Sequence, residues 1–289
     1  PQNLRWNQKA CCNSFKKNWE AKGIAKATGI CKRKILLATC AWIEEVARSG
    51  TFEKSMGKTL VTMLPKEAKV RSWGAIRPIE VDNWAIKIIS KMVAKRIATV
   101  LPLYSDNQFG FIPGRCTLPP VLCIDAVIKR GGLVVFLDIS AAYTSVEFGP
   151  AHAIVDELGW PSCITAIIRA LCSTREAAMV VDGRVSKTAF KIQRGLRQGN
   201  AASPVIFALY LAIALHRIQV ELGDLIVIWA FADDLAVEVK DPSSLPKVIK
   251  TVQRILAKLF LDLNRGKCKI ICGENIHLDE EYRRWRTPS

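Results

Sequence analysis

The chain has 289 residues, 50% of them hydrophobic and 24% charged, and its 42 Lys and Arg against 26 Asp and Glu give a formal charge of +16. That composition excludes a disordered chain and suits one large or two modest globular domains. The positive excess points to a polyanionic partner, because each Lys or Arg set against a phosphate releases counterions; a basic surface that serves only solubility is the alternative.

In chain order, Asn7 to Gly50 reads as one or two basic amphipathic helices, with Ile35, Leu36, Ala38, Ala41, Trp42 and Val46 at helical spacing and Gly50 as a stop. Thr59–Pro65 predicts a strand, and KEAKVRSWGAIRPIE after it a basic loop. Apolar residues at three- and four-residue intervals predict a helix over Trp84–Leu101 that carries Lys87, Lys91, Lys95 and Arg96. The loop QFGFIPGRCTLPP leads to a helix over Val121–Lys129, and Gly131-Gly132 turns the chain into LVVFLDI, a β-branched run that fits a buried strand. Helices over Gly149–Leu158 and Ser162–Cys172 follow, then a hairpin of Met179–Val181 and Lys187–Ile192 about Asp182-Gly183. A buried helix over Ser203–Val220 comes next, with Ser203 as its cap and Pro204 in its first turn. After it stand the strands flanking Asp233-Asp234, a helix over Pro242–Leu259 and a closing strand at Lys267–Cys272.

The ten cysteines are scattered, and no histidine stands at finger spacing beside them, which disfavours zinc and predicts buried free thiols in a reducing compartment. The chain opens on Pro1 with no secretion signal, so an intracellular protein, nuclear or cytoplasmic, is expected. The longest apolar stretch, Ala201–Leu215, falls short of the roughly 20 residues that span a bilayer, and no membrane partner is expected.

The chemistry centres on WAFADDLAVEV, which sets two adjacent carboxylates, Asp233 and Asp234, inside an apolar run. Read as two strands joined at Ala232-Asp233-Asp234, it lifts both acids to a sheet edge while the arms stay buried. Adjacent carboxylates raise each other's pKa unless a cation sits between them, and Mg²⁺ prefers carboxylate, water and phosphate oxygens. Asp138 closes LVVFLD. Alone, an Asp in that position is most often a cap or turn residue. Set beside an Asp-Asp hairpin, it supplies the third ligand of a two-metal site for phosphoryl transfer.

Six blocks in order then carry a resemblance: LPK with IRPIEVDNWAIKIISKMVAKRI, DNQFGFIPGRCTLPPV, FLDISAAY, GLRQGNAASP, FADD and LNRGKCKI. From about Leu60 to Cys272 the chain resembles the reverse transcriptase domain of non-LTR retrotransposons (LINE-like) and, more distantly, group II intron maturases. The resemblance implies an α/β (α+β) fold, right-hand polymerase fingers and palm with an antiparallel palm sheet flanked by helices, the thumb largely missing. It divides the chain into a basic helical extension (1–58), fingers (59–130), the first catalytic strand of the palm (131–148), an insertion with a hairpin (149–194), the rest of the palm (195–275) and a tail (276–289).

It further implies an RNA-directed DNA polymerase with two Mg²⁺ ions, Mn²⁺ being a substitute, acting on an RNA template, a DNA primer and deoxynucleoside triphosphates (dNTPs). Asp138, Asp233 and Asp234 would be the catalytic metal ligands. Tyr143 would be the steric gate against a ribose 2′ hydroxyl; as a bare residue it reads equally as a core aromatic. Gln198 and Gly199 would meet the templating base and incoming nucleotide. Arg77 and Lys66 would reach the triphosphate, and Lys267 would stand near the leaving pyrophosphate. Thr144 replaces the Asp that commonly follows the gate, with altered packing expected, and Asn200 replaces the Asp of RQGD. The 17 residues after Cys272 are too few for a helical thumb. A decayed domain that binds RNA or DNA without polymerising is the competing expectation. An RNA-directed RNA polymerase, which more often carries Gly before its paired Asp residues, is the third.

Overall fold

The computed structural model describes residues 29–53, 58–66, 76–181 and 183–287. In chain order these form α1 (Gly29–Ser49), β1 (Thr59–Pro65), β2 (Ile76–Val81), α2 (Trp84–Val100), α3 (Leu118–Lys129), β3 (Leu133–Asp138), the single-turn α4 (Ala142–Ser145), α5 (Phe148–Glu157), α6 (Ser162–Leu171), β4 (Arg175–Val181), β5 (Arg184–Ile192), α7 (Ser203–Leu222), β6 (Ile226–Phe231), β7 (Asp234–Val239), α8 (Leu245–Ala257), β8 (Lys269–Cys272) and the short α9 (Glu280–Arg283). They divide into two units: one takes the chain through Ile97 together with Glu147–Ser203, the other Ala98–Val146 together with Pro204–Ser289.

The first unit is built on a sheet of order β2-β1-β4-β5. β1 runs antiparallel to β2 and parallel to β4. The expected basic loop is therefore in part a strand: β2 occupies the sheet edge, where Pro78, opposite Met63, costs no ladder bond. The hairpin is longer than its apolar core, with β4 and β5 paired from Arg175↔Ile192 to Val181↔Arg184 and a register shift between Ala178 and Val180. α1 packs on α6 and ends at Gly50, whose φ of 67° an L side chain resists. Its buried stripe is Cys40, Ile43 and Val46, while Ala38 and Ala41 are exposed. Val46 is buried as expected, whereas the two alanines lie off the buried stripe, since alanine suits either face. The stretch from Asn7 to residue 28 lies outside the described residues.

The second unit is built on an antiparallel sheet of order β6-β7-β3-β8. One face, Leu133, Val135, Leu137, Leu235, Val237, Ile228 and Ile270, is wholly buried. On the other, Val127 of α3 meets Val134 and Ala236, with Ile124, Ile128, Phe136 and Trp229 packed around them. α3 starts at Leu118, before the expected Val121, because Pro119 and Pro120 fall in its first turn, where no amide donor is needed.

α7 corrects a second expectation. With the short turn to Leu225 it forms a segment long and apolar enough to cross a membrane by length and composition. Its side chains are mostly buried in the protein, Phe207, Leu211 and Leu215 among them, so it reads as a core helix apolar all round. Ser203 does not cap it through an amide: its hydroxyl donates to the Arg197 carbonyl at 2.7 Å. Cys40, Cys116, Cys123, Cys163, Cys172, Cys268 and Cys272 form no disulfide, yet Cys116 and Cys123 are exposed where burial was expected. The tail folds back: Ile270 N–H donates to the Trp285 carbonyl (2.7 Å) and Thr287 N–H to the Ile270 carbonyl (2.9 Å).

Candidate active site

In the second unit the carboxylates come together through strand register. β3 and β7 pair directly, and the last residue of β3, Asp138, stands opposite the first of β7, Asp234. Because side chains alternate across a strand, Asp138, Phe136 and Val134 share one face with Asp234, Ala236 and Glu238. The hairpin loop is shorter than expected. Phe231 pairs with Asp234, so only Ala232 and Asp233 form the turn and Asp234 belongs to the strand. A positive φ of 58° at Ala232, the first central residue, is the kind of conformation that two-residue hairpins demand and usually fill with glycine.

The electrostatics are those of an anion cluster. Burial raises the Asp234 pKa first, then Asp233 and Asp138 raise it further, and Lys267 acts the other way. Lys267 Nζ lies 3.7 Å from Asp138 Oδ1, its own side chain 66% exposed. Among the described residues no three His, Cys, Asp or Glu side chains are drawn together as a finished metal cage. Of the three expected ligands, strand pairing sets Asp138 opposite Asp234, and Asp233 stands next to Asp234 in the turn. Oxygen donors of this kind fit a hard divalent cation.

A cleft of about 580 Å³ opens beside them, lined by α3 (Val121, Ile124), Phe136, Asp138, Trp229, Phe231, Asp234, Lys267 and Lys269. Tyr143, on α4, stacks on Phe207 with ring centroids 5.1 Å apart. Its phenol is pushed up to about 12 by burial and then by Asp233, so it stays neutral and available as a donor. Thr144 turns its hydroxyl to the Ala141 carbonyl at 2.9 Å, closing the turn made by Ala141 at φ 48°.

The other candidates lie in the first unit. Arg77 faces Leu64 across the β1–β2 pair, and Lys66 directly follows β1, so both stand at the same end of that pair. Gln198 accepts the Glu80 amide at 2.7 Å through its carbonyl. A Cβ on Gly199 would come within 3.0 Å of the Glu80 carbonyl oxygen, and its φ is 101°, so glycine is required on both counts.

Beneath this loop lies a network that sequence reasoning did not reach. Arg197 pairs with Asp82, and Asn200 donates to Asp82 Oδ2 (2.7 Å) and Ser90 Oγ (2.8 Å) while accepting from Ala202 N–H (2.9 Å). Arg175 holds both Glu80 carboxylate oxygens through one guanidinium edge, Nε and Nη2, and donates to the Gly195 carbonyl from the other. The amide at position 200 has a local reason: its NH₂ faces Asp82, and a carboxylate there would bring two like charges together. The signal available was the replacement of Asp by Asn inside RQGN.

Residues 64–286 match the family described as reverse transcriptase (RNA-dependent DNA polymerase). The chain belongs to that family. This reverse transcriptase domain is 23% identical, over 76% of its length, to the Retrovirus-related Pol polyprotein from type-2 retrotransposable element R2DM of Drosophila melanogaster, of which it covers 22%. It is 24% identical, over 84% of its length, to the corresponding type-1 retrotransposable element R2 polyprotein of Nasonia vitripennis, of which it covers 26%. The chain thus spans about a quarter of these relatives, and they mark it as a reverse transcriptase domain of the non-LTR type.

In fold it is similar to apo telomerase from Candida tropicalis (TM-score 0.57, 11% identity, 81% of this chain and 48% of that one). It is likewise similar to telomerase from Candida albicans in complex with the TWJ fragment of telomeric RNA (TM-score 0.56, 12% identity, 82% and 46%). These neighbours fit the right-hand polymerase α/β architecture. Reverse transcriptases as a family use divalent metal ions.

Proposed function

We propose that this chain is a working RNA-directed DNA polymerase core that extends a DNA primer on an RNA template from dNTPs. We read the β6-β7-β3-β8 sheet as the palm and the β2-β1-β4-β5 sheet as part of the fingers. The observation that carries the reading is the pairing of Asp138 with Asp234 next to Asp233, in a chain of the reverse transcriptase family.

Asp138, Asp233 and Asp234 are the residues that would hold two Mg²⁺ ions, which supply charge to make the primer 3′ hydroxyl acidic and to stabilise the phosphate oxygens. In the reaction the 3′ oxygen would bond to the α-phosphorus, its proton passing to solvent, as the bond to pyrophosphate breaks. Tyr143, a neutral ring at the Asp233 end, would exclude a 2′ hydroxyl. Lys267 would bring an ammonium to the leaving group, and Arg77 and Lys66 would take triphosphate charge. Gln198 and Gly199 would shape the nucleotide contact. α2 buries Ile86, Ile89 and Val93 and leaves Lys91 and Lys95 exposed, which supports a backbone-tracking surface without sequence readout.

Primer extension with Mg²⁺ on an RNA template tests this. Asp233→Asn is expected to reduce extension by at least about 10³-fold, the scale on which enzymes depend on fixed transition-state charge. Salt-dependent nucleic-acid binding by the wild type without any extension would favour the decayed-binder reading instead.

A further inference from the structure

The Asp-Asp hairpin rests on a side chain far from it in sequence. Gln108 is fully buried, and its amide answers both backbone groups of Ala232: Oε1 accepts from Ala232 N–H at 2.8 Å and Nε2 donates to the Ala232 carbonyl at 3.1 Å. The same Oε1 accepts from Gly110 N–H at 2.8 Å. In a two-residue hairpin the peptide groups of the first loop residue ordinarily meet water; here Ala232 is only 8% exposed. Without Gln108 they would be buried donors and acceptors with no partner.

The rest of the segment is shaped to deliver that amide. Phe109 N–H donates to the Ala230 carbonyl (2.7 Å) and Ala230 N–H to the Asn107 carbonyl (2.8 Å), laying 107–109 along the outer edge of β6. A Cβ at Gly110 would fall 2.4 Å from the Ala232 nitrogen, so only glycine passes. Arg115 fixes the segment from behind, donating to the carbonyls of Ser105 (2.6 Å), Asp106 (3.1 Å) and Gln108 (2.8 Å).

Ala232 carries a left-handed φ that an L residue holds only when its surroundings impose it. The Ala232 carbonyl and the Asp233 amide share one peptide plane, so fixing the first fixes the direction in which Asp233 leaves the backbone. We propose that Gln108, with Gly110 as its close-approach partner, is a positioning residue that sets the presentation of Asp233 for nucleotidyl transfer. This rests on the polymerase reading above. Gln108 touches neither substrate nor metal in this account and acts through Ala232.

The test uses the 289-residue chain. Gln108→Met keeps the length and removes every hydrogen bond, while Gln108→Glu keeps two acceptors and loses the donor. For folded Gln108→Met, the expected loss in kcat for primer extension is about 10²-fold, the scale of an ångström of misplacement, with KM for dNTP within about threefold. Half-maximal rate should need several-fold more Mg²⁺. Gln108→Glu should fall between the two. Adding Ala232→Gly to Gln108→Met should recover part of the lost kcat, because glycine adopts the left-handed conformation without support.

Amide hydrogen exchange at Ala232 reads the clamp without catalysis: protection should drop in Gln108→Met selectively at Ala232 and Gly110. A wild type that does not extend primers fails the polymerase reading, and the exchange result still decides the clamp. A wild type that extends while Gln108→Met matches it in kcat and Mg²⁺ dependence, or no recovery from Ala232→Gly, overturns the inference and leaves the polymerase standing. If Gln108→Met does not fold, Gln108→Glu carries the same kinetic and exchange readouts.

Discussion

In the first unit charges are buried with matching partners: the Arg175 and Glu80 side chains are 2% and 7% exposed and paired, and those of Arg197 and Asp82 are each 2% exposed and paired. In the second unit Asp138 stands opposite Asp234 with Asp233 beside it in the turn, and a largely exposed lysine lies 3.7 Å from Asp138. Burial with an opposite charge is a means of holding a loop in place, even where burial outweighs the partner, as at Arg197, whose pKa is lowered despite Asp82 and whose Nε is buried without a hydrogen bond. A cluster of one sign at an accessible cleft stabilises nothing by itself and makes sense where a cation arrives from outside. The first region pairs its buried charges, and the second leaves like charges beside an open cleft, where the proposed reaction would use them.

Three substitutions press on that distinction. The largest effect is expected from Asp82→Ala, which strands the Arg197 guanidinium; breaking one side of a buried pair costs about 3–5 kcal/mol, to be read from urea melts. A stability unchanged by this substitution would mean that the pair holds nothing.

Asn200→Asp restores the family's usual residue and should nevertheless destabilise this chain by about 2 kcal/mol, because Asp82 loses a donor and meets a like charge. Urea melts check this, and an unchanged stability would refute the like-charge reading.

The smallest effect concerns Asp234. Its pKa is raised in the fold, so the folded state binds more protons than the unfolded one, and the resulting stability is present at acidic pH and lost as pH rises through the raised value. At neutral pH the ionised group opposes folding. Asp234→Asn should then raise the Tm of metal-free protein at pH 7 by on the order of 1 °C, with no gain near pH 3. Saturating Mg²⁺ should cancel the difference by stabilising the wild type. A lower Tm at pH 7 would show that the chain itself already neutralises the cluster.

What could be read from the sequence follows the same division. The carboxylates stand in local patterns, an apolar run ending in Asp138 and an apolar run broken by Asp233-Asp234, and both strands formed as expected. Their direct pairing was beyond local pattern, as was the loop reduced to two residues. β2 was missed because Pro78 and its basic neighbours read as a loop, and only edge placement makes that proline tolerable. The Arg175–Glu80 and Arg197–Asp82 pairs join residues 95 and 115 positions apart, a separation that leaves no periodic trace. Gln108 stands inside a family block with no role legible in its neighbours, since nothing in QFGF shows that its amide reaches Ala232, 124 residues on.

Both borders of the β6-β7-β3-β8 sheet are covered, by 107–109 along β6 and by 285–287 along β8. Exposed strand borders recruit other chains through their unanswered peptide groups. Anyone trimming this domain to a minimal enzyme would be tempted to stop soon after Cys272, where the family blocks end. Such a cut would remove Tyr282 and Trp285, each 3% exposed, and lay bare the outer side of β8. The shortened protein should come out of expression as aggregate, and the short tail would prove to be a solubility element of the recombinant domain.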